Sequence, residues 1–196
     1  MLEILNSIDT RLMFYLNKSL SNTFFDKIMP FITEKDNWII PFILLFIYLA
    51  FFSGKRGQIC LVILIISISL TDSISTYILK PYFQRVRPSH DLYDLINLLV
   101  SKGGRLSMPS NHASNIFSAT VVVSYFYNKI KIPMYIIAFI IAFSRIYVGV
   151  HYPGDIIIGS LFGYAVGWFT LTLWVILKMR ELKRRKTWVW YKNMKN

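Results

Sequence analysis

The chain has 196 residues, 55% of them hydrophobic and 16% charged, with a formal charge of +12. Its apolar residues come in long runs rather than at amphipathic spacing, which excludes a water-soluble globular domain and marks an integral membrane protein. The positive charge is not a nucleic-acid footprint: eight of the 22 lysines and arginines fall from Lys178 onward, where a basic tail after an apolar span is a topology and lipid-headgroup signal.

In chain order, residues 1–37 come first. Leu5, Ile8, Leu12 and Leu16 recur there at helical spacing, with Asn6, Asp9, Arg11 and Lys18 on other faces, which predicts an amphipathic helix in the membrane interface. A sixth, irregular span is the alternative for this stretch. It lacks a basic segment followed by an unbroken apolar core, so no cleavable signal peptide is expected. Five spans are predicted next, from Trp38 to Phe52, Gln58 to Leu79, Ala113 to Tyr127, Pro133 to Val150 and Ile156 to Leu177. About 20 apolar residues are needed to cross a core of about 30 Å, so the first and third are short. Only helices satisfy their backbone groups in lipid, and the expected fold is a single all-α membrane bundle over residues 1–196. Cys60, the one cysteine, lies inside an apolar run and offers neither an internal disulfide nor a cysteine metal site.

Orientation follows from the cations. The Lys55-Arg56 turn, the Lys129 to Lys131 turn and the 178–196 tail fall on one side of a five-span arrangement and carry twelve lysines and arginines. That side is expected to be cytoplasmic. The loop from Lys80 to His112 and the turn from Val150 to Asp155 then share the extracytoplasmic side.

Three segments at the ends of apolar runs carry the chemistry. Lys80 and Arg87-Pro88 flank a turn, and an ammonium with a planar guanidinium suits phosphate oxygens, although snorkelling cations read the same way. Pro109-Ser110-Asn111-His112 opens the third span, so Ser110 is an N-cap candidate and the free amides beside it form an anion site that His112 would face. Ser144-Arg145 is followed by His151 and, four residues later, Asp155. A carboxylate on one ring nitrogen fixes the tautomer and frees the other nitrogen as a nucleophile. Asp72, within the second span, is an ionisable group at membrane depth and hence a candidate for function, or else a structural residue paired with Ser73, Ser75 or Thr76.

Taken together, Lys80, Arg87, Pro88, Pro109, Ser110, His112, Ser144, Arg145, His151 and Asp155 resemble the pattern of the type 2 phosphatidic acid phosphatase (PAP2) superfamily, which includes glucose-6-phosphatase and vanadium haloperoxidases. The likeness covers residues 80–155. It implies that His151 attacks phosphorus to give a phosphohistidine, that Asp155 orients it and that His112 protonates the leaving oxygen. Lys80, Arg87, Ser110, the amide of Asn111 and Arg145 would hold the phosphoryl oxygens, with no metal or other cofactor. The family has glycine where Asn111 stands. Because only a backbone amide is implied there, and asparagine tolerates unusual backbone angles, Asn111→Gly is expected to retain substantial activity.

The implied function is removal of a terminal phosphate from a membrane lipid such as undecaprenyl diphosphate, lipid A 1-phosphate, phosphatidylglycerophosphate or phosphatidic acid, in a bacterial inner membrane. The partners are that lipid and the bilayer, and no nucleic acid. A lipid phosphotransferase with the same intermediate and a non-catalytic lipid-binding protein are the alternatives. A haloperoxidase is disfavoured by the five apolar spans.

Overall fold

A computed structural model of the chain describes residues 2–189 and 191. The side chain of Leu5, and Lys192 and Lys195 of the basic tail, lie outside that description. Among the described residues the fold is helical throughout: α1 (Leu2–Phe14), α2 (Thr23–Thr33), α3 (Ile39–Ile47), α4 (Gly54–Ile74), the short α5 (Lys80–Phe83) and α6 (Pro88–Asp91), α7 (Asn111–Phe126), α8 (Lys131–Tyr147) and α9 (Pro153–Lys183). A π-helical turn, Ser75–Leu79, joins α4 to α5.

Among the described residues four stretches are long and apolar enough to cross a membrane: Lys35–Phe52, Gly54–Phe83, Asn128–Tyr147 and Pro153–Lys183. They correspond to the first, second, fourth and fifth expected spans. Their outward faces carry Ile40, Phe51, Ile66, Ile132, Phe139, Leu161 and Ile176, a dense exposed apolar surface that only lipid can cover. The third expected span differs. It folds as the 16-residue α7, about 24 Å long at 1.5 Å per residue, packed on α4, α8 and α9. Its buried side includes Ser114, Ser118, Thr120 and Ser124, and a helix sheathed by its neighbours does not need the continuous apolar surface that lipid demands. Ser67 and Thr71 tie it to α4 through the Ser67–Ser118 bond at 2.7 Å and Thr71 to Ser118 at 3.1 Å, and Thr170 extends the set to α9 by donating to Ser67 at 3.1 Å.

The long helices alternate in direction, which separates two ends. At one end Arg56 lies over the Tyr127 ring, and the segment after α9 folds back so that Val189 joins Cys60, Phe126 and Trp174 in one cluster. At the other end are residues 80–112 and 145–155. The N-terminal region lies across this second end: Asp9 accepts from the Gly154 amide at 2.7 Å, Asn17 donates to the Tyr147 carbonyl at 2.7 Å, and Thr33 accepts from Arg145. Ile8 and Leu12 of α1 point outward, whereas Met13 and, in the turn that follows, Asn17 are buried and Leu16 packs on the core, so the expected apolar face is outward only at Ile8 and Leu12.

The closest helix contact is between α7 and α9. Gly159, Gly163 and Gly167 recur every fourth residue, and a Cβ on Gly163 would lie 2.0 Å from the Ser114 carbonyl oxygen. At Gly159 it would meet the Ser110 carbonyl at 2.8 Å. This stripe sets the start of α7 against the first turn of α9. Gly163→Val is therefore expected to destabilise the protein by about 1–3 kcal/mol or more, read as a lower Tm in detergent. Gly104→Ala, where an added Cβ meets nothing within 4 Å, should leave Tm unchanged.

Candidate active site

The loop between α5 and α7 folds back on itself. Residues 85–87 run antiparallel to 105–107, with the Arg87 amide on the Arg105 carbonyl at 3.0 Å and the Ser107 amide on the Arg85 carbonyl at 2.7 Å. Lys80, buried at the end of the π-helical turn, directs its ammonium at the carbonyls of Pro109 (2.8 Å), Leu106 (3.3 Å) and Ser107 (3.3 Å). An ammonium has three protons, so Lys80 shapes the loop ahead of His112 as well as placing a cation there. The Arg87 guanidinium bonds the Leu106 carbonyl at 3.0 Å and packs where a Cβ on Gly103 would sit.

His151 and Asp155 meet at the turn into α9. The His151 Nδ1 is 3.2 Å from Asp155 Oδ2, and both residues are buried. That same carboxylate oxygen accepts the Tyr152 amide at 2.9 Å and the Ser107 hydroxyl, while Oδ1 accepts from Arg85 at 3.1 Å. Four donors around one carboxylate stabilise its ionised form, and an ionised Asp155 makes Nδ1 the protonated nitrogen of the ring. The Nε2 atom then keeps its lone pair. Burial pushes the His151 pKa down to about 3 against the opposing pull of Asp155, so the ring is neutral at physiological pH.

The remaining expected residues surround this pair. Ser110 occupies the N-cap position of α7, but its hydroxyl caps nothing; it is buried without a hydrogen-bond partner among the described residues. Its amide donates to the Asp155 carbonyl at 3.1 Å, which locks the start of α7 to the start of α9. Arg145 donates from one terminal nitrogen to Thr33, whereas its buried Nε has no partner among the described residues. His112 stands in the first turn of α7. Burial, with the cations Arg145, Arg87 and Lys80 around it, drives its pKa down to about 3, and a dianion among those cations would reverse their part of the shift. Asn111 is the first helical residue of α7. It has no left-handed φ, so a tolerance for unusual backbone angles is not why asparagine stands there.

Three contributors escaped the sequence reading. Arg85 bonds Asp155, pairs with Asp9 at 2.6 Å and lies 4.0 Å from the centre of the Tyr152 ring. Ser107 touches both members of the His151–Asp155 pair, the ring nitrogen at 3.3 Å. Asp9 completes the shell from α1 through Arg85 and the Gly154 amide. Arg85, two residues before Arg87 in the same loop, carried a usable signal; an isolated loop serine and an acidic residue on an interfacial helix carried none. Among the described residues no cluster of three histidine, cysteine or acidic side chains is arranged to hold a metal ion.

This arrangement pairs a neutral, oriented imidazole with several cations and with two buried donors that have no partner among the described residues, a constellation suited to phosphoryl transfer. Comparison with known proteins agrees. The family model of the PAP2 superfamily matches residues 57–178. A lipid A 4'-phosphatase of Bacteroides thetaiotaomicron is 31% identical over 175 residues, covering 86% of this chain and 77% of the relative. The undecaprenyl-diphosphatase BcrC of Bacillus subtilis is 29% identical, covering 71% of this chain and 69% of its own. The crystal structure of LpxE from Aquifex aeolicus superposes with a TM-score of 0.69 at 27% identity, covering 83% of this chain and 94% of that one. With its long apolar helical stretches and this set of residues, the chain belongs to the PAP2 superfamily and is a multi-pass membrane lipid phosphatase.

Proposed function

We propose that this protein, acting as a single domain, hydrolyses a terminal phosphate from an envelope lipid through a phosphohistidine on His151. The observation that carries the reading is that the buried, neutral His151 has its Nδ1 held by Asp155 while Ser110 Oγ and Arg145 Nε are buried donors without partners among the described residues. Phosphate oxygens would satisfy both. Lys80 and Arg87 add charge, and the free amides at the start of α7 add donors.

In the proposed first step Nε2 of His151 attacks phosphorus, the N–P bond forms, and the P–O bond to the lipid breaks as His112 gives the leaving oxygen a proton. In the second, His112 takes a proton from water, the water oxygen attacks phosphorus, and the N–P bond breaks to release phosphate. Asp155 stabilises the positive ring in between. A general acid of this kind contributes about 100- to 10,000-fold. Charge stabilisation by fixed cations can take the place of a metal ion in this scheme.

The substrate tail would lie against the apolar groove of about 430 Å³ lined by Phe117, Phe139, Ile146, Ile156, Leu161 and Tyr164. Ile146 and Ile156 come directly after Arg145 and Asp155 in sequence, so this groove begins beside the site. Similarity to a lipid A 4'-phosphatase favours a sugar-linked phosphomonoester, and similarity to an undecaprenyl-diphosphatase supports a polyprenyl diphosphate as the second reading. The deciding experiment is phosphate release by purified protein in detergent, with EDTA present, from lipid A, undecaprenyl diphosphate, phosphatidylglycerophosphate and phosphatidic acid. Release is expected, fastest from lipid A. Release from none contradicts the hydrolase reading, and transfer to an acceptor lipid without free phosphate favours the phosphotransferase.

We also place the site on the extracytoplasmic face of a bacterial inner membrane, because twelve lysines and arginines belong to the opposite side. Each basic residue near an anionic leaflet contributes about 1 kcal/mol, enough for the tail to hold this orientation. Lys102 and Thr187 are both exposed, at opposite ends of the bundle. In a Cys60→Ser background, Lys102→Cys should be labelled in intact cells by an impermeant maleimide and Thr187→Cys only after lysis. The reverse pattern would put the site in the cytoplasm.

A further inference from the structure

Two polar groups have no part in that mechanism, the carboxylate of Asp72, within an apolar membrane-crossing stretch, and the side chain of Asn111. The fold joins them. Asn111 Nδ2 donates to Asp72 Oδ1 at 2.9 Å and to Thr76 Oγ1 at 2.8 Å, and Asn111 Oδ1 accepts from Ser75 Oγ at 2.7 Å. Asn115, one turn further along α7, donates to the same Asp72 oxygen at 3.0 Å. Both amide protons of Asn111 and its acceptor are therefore committed to α4 and the π-helical turn at its end.

The position of this cluster gives it a consequence. Asn111 lies between Ser110 and His112 at the first residue of α7. Ser75 and Thr76 begin the π-helical turn Ser75–Leu79, and Lys80 comes directly after it. A π turn inserts one residue into the helical ladder and re-aims the side chains beyond it, and such turns collect at functional sites. The cluster thus bolts the turn that aims the Lys80 ammonium to the helix start that carries Ser110, the free amides and His112. Glycine at position 111 would supply the same backbone amide but none of these three side-chain bonds.

We propose that the Asn111 side chain, anchored on Asp72, is a positioning residue that fixes the α4 half of the phosphate site against the α7 half. The inference rests on the phosphatase reading, and it reverses the expectation that Asn111→Gly keeps most of its activity. What Asp72 supplies is an acceptor oxygen. Its charge is not required, because the amide oxygen of asparagine can accept from both Asn111 and Asn115.

The test uses the full chain in detergent and follows kcat, KM, Tm and inhibition by vanadate, which mimics pentacoordinate phosphorus, alongside inhibition by inorganic phosphate. Asn111→Gly and Asp72→Ala are expected to lower kcat about 10- to 100-fold, as small misplacements of reacting groups do. Vanadate inhibition should weaken in step with kcat/KM while phosphate inhibition changes little. Asp72→Asn should stay close to wild type, and Thr76→Val, which removes one bond without opening a cavity, should fall between. A loss of Tm with vanadate inhibition and kcat unchanged would show a merely structural cluster and overturn the proposal. So would Asp72→Asn falling as far as Asp72→Ala. Wild-type turnover keeps the two readings apart: its absence overturns the phosphatase assignment and this inference with it, whereas wild-type kcat in Asn111→Gly overturns this inference alone.

Discussion

A buried carboxylate has to be surrounded by donors, and at Asp155 that requirement organises the whole site. Its side chain gathers the Tyr152 amide from its own turn, His151 from the preceding one, and Ser107 and Arg85 from a loop some 50 to 70 residues away in sequence. Arg85 in turn brings Asp9 from α1. Removing a partner from a buried charge typically costs about 3–5 kcal/mol, so these segments are held in one arrangement. The His151 ring is oriented by the same carboxylate that holds the 85–107 loop in place.

The membrane supplies the second constraint. In lipid, helices gain little from apolar contact with one another and associate instead through close packing and interhelical hydrogen bonds. The Gly159, Gly163 and Gly167 stripe lets α7 approach α9 closely, and the Ser67, Thr71, Ser118 and Thr170 set links α4, α7 and α9. Close packing of α7 on α9 is what brings the Ser110 amide to the Asp155 carbonyl. Fold and site are therefore coupled: the contact that holds the central helix in place also sets the distance between the α7 donors and His151.

Much of this was legible in the sequence, for specific reasons. Lipid-facing helices must be apolar, so Lys35–Phe52, Gly54–Phe83, Asn128–Tyr147 and Pro153–Lys183 announce themselves by hydropathy. The His151 and Asp155 pair lies within one turn and is readable as local chemistry. Helix α7 was harder, because its shell of neighbours permits serines and threonines that blur the apolar run. Arg85, Ser107 and Asp9 reach the site only through side-chain contacts across 44 residues or more, and a polar loop residue looks the same whether it faces water or a buried carboxylate. Asn111 shows the opposite error. Its mismatch with the family glycine was visible, but the partners on α4 that give the side chain its bonds emerge only once two helices are packed together.

The central claim is that His151 carries the phosphoryl group between two steps. The most direct measurement is rapid quenching of the His112→Ala variant with para-nitrophenyl phosphate, whose leaving group departs without a proton, followed by mapping of the labelled residue. With the first step still possible and water activation lost, a phosphoryl group is expected to accumulate on His151, stable to alkali and lost in acid, and to be absent from the His112→Ala/His151→Ala double variant. Turnover without any such intermediate, or a label on another residue, would contradict the account.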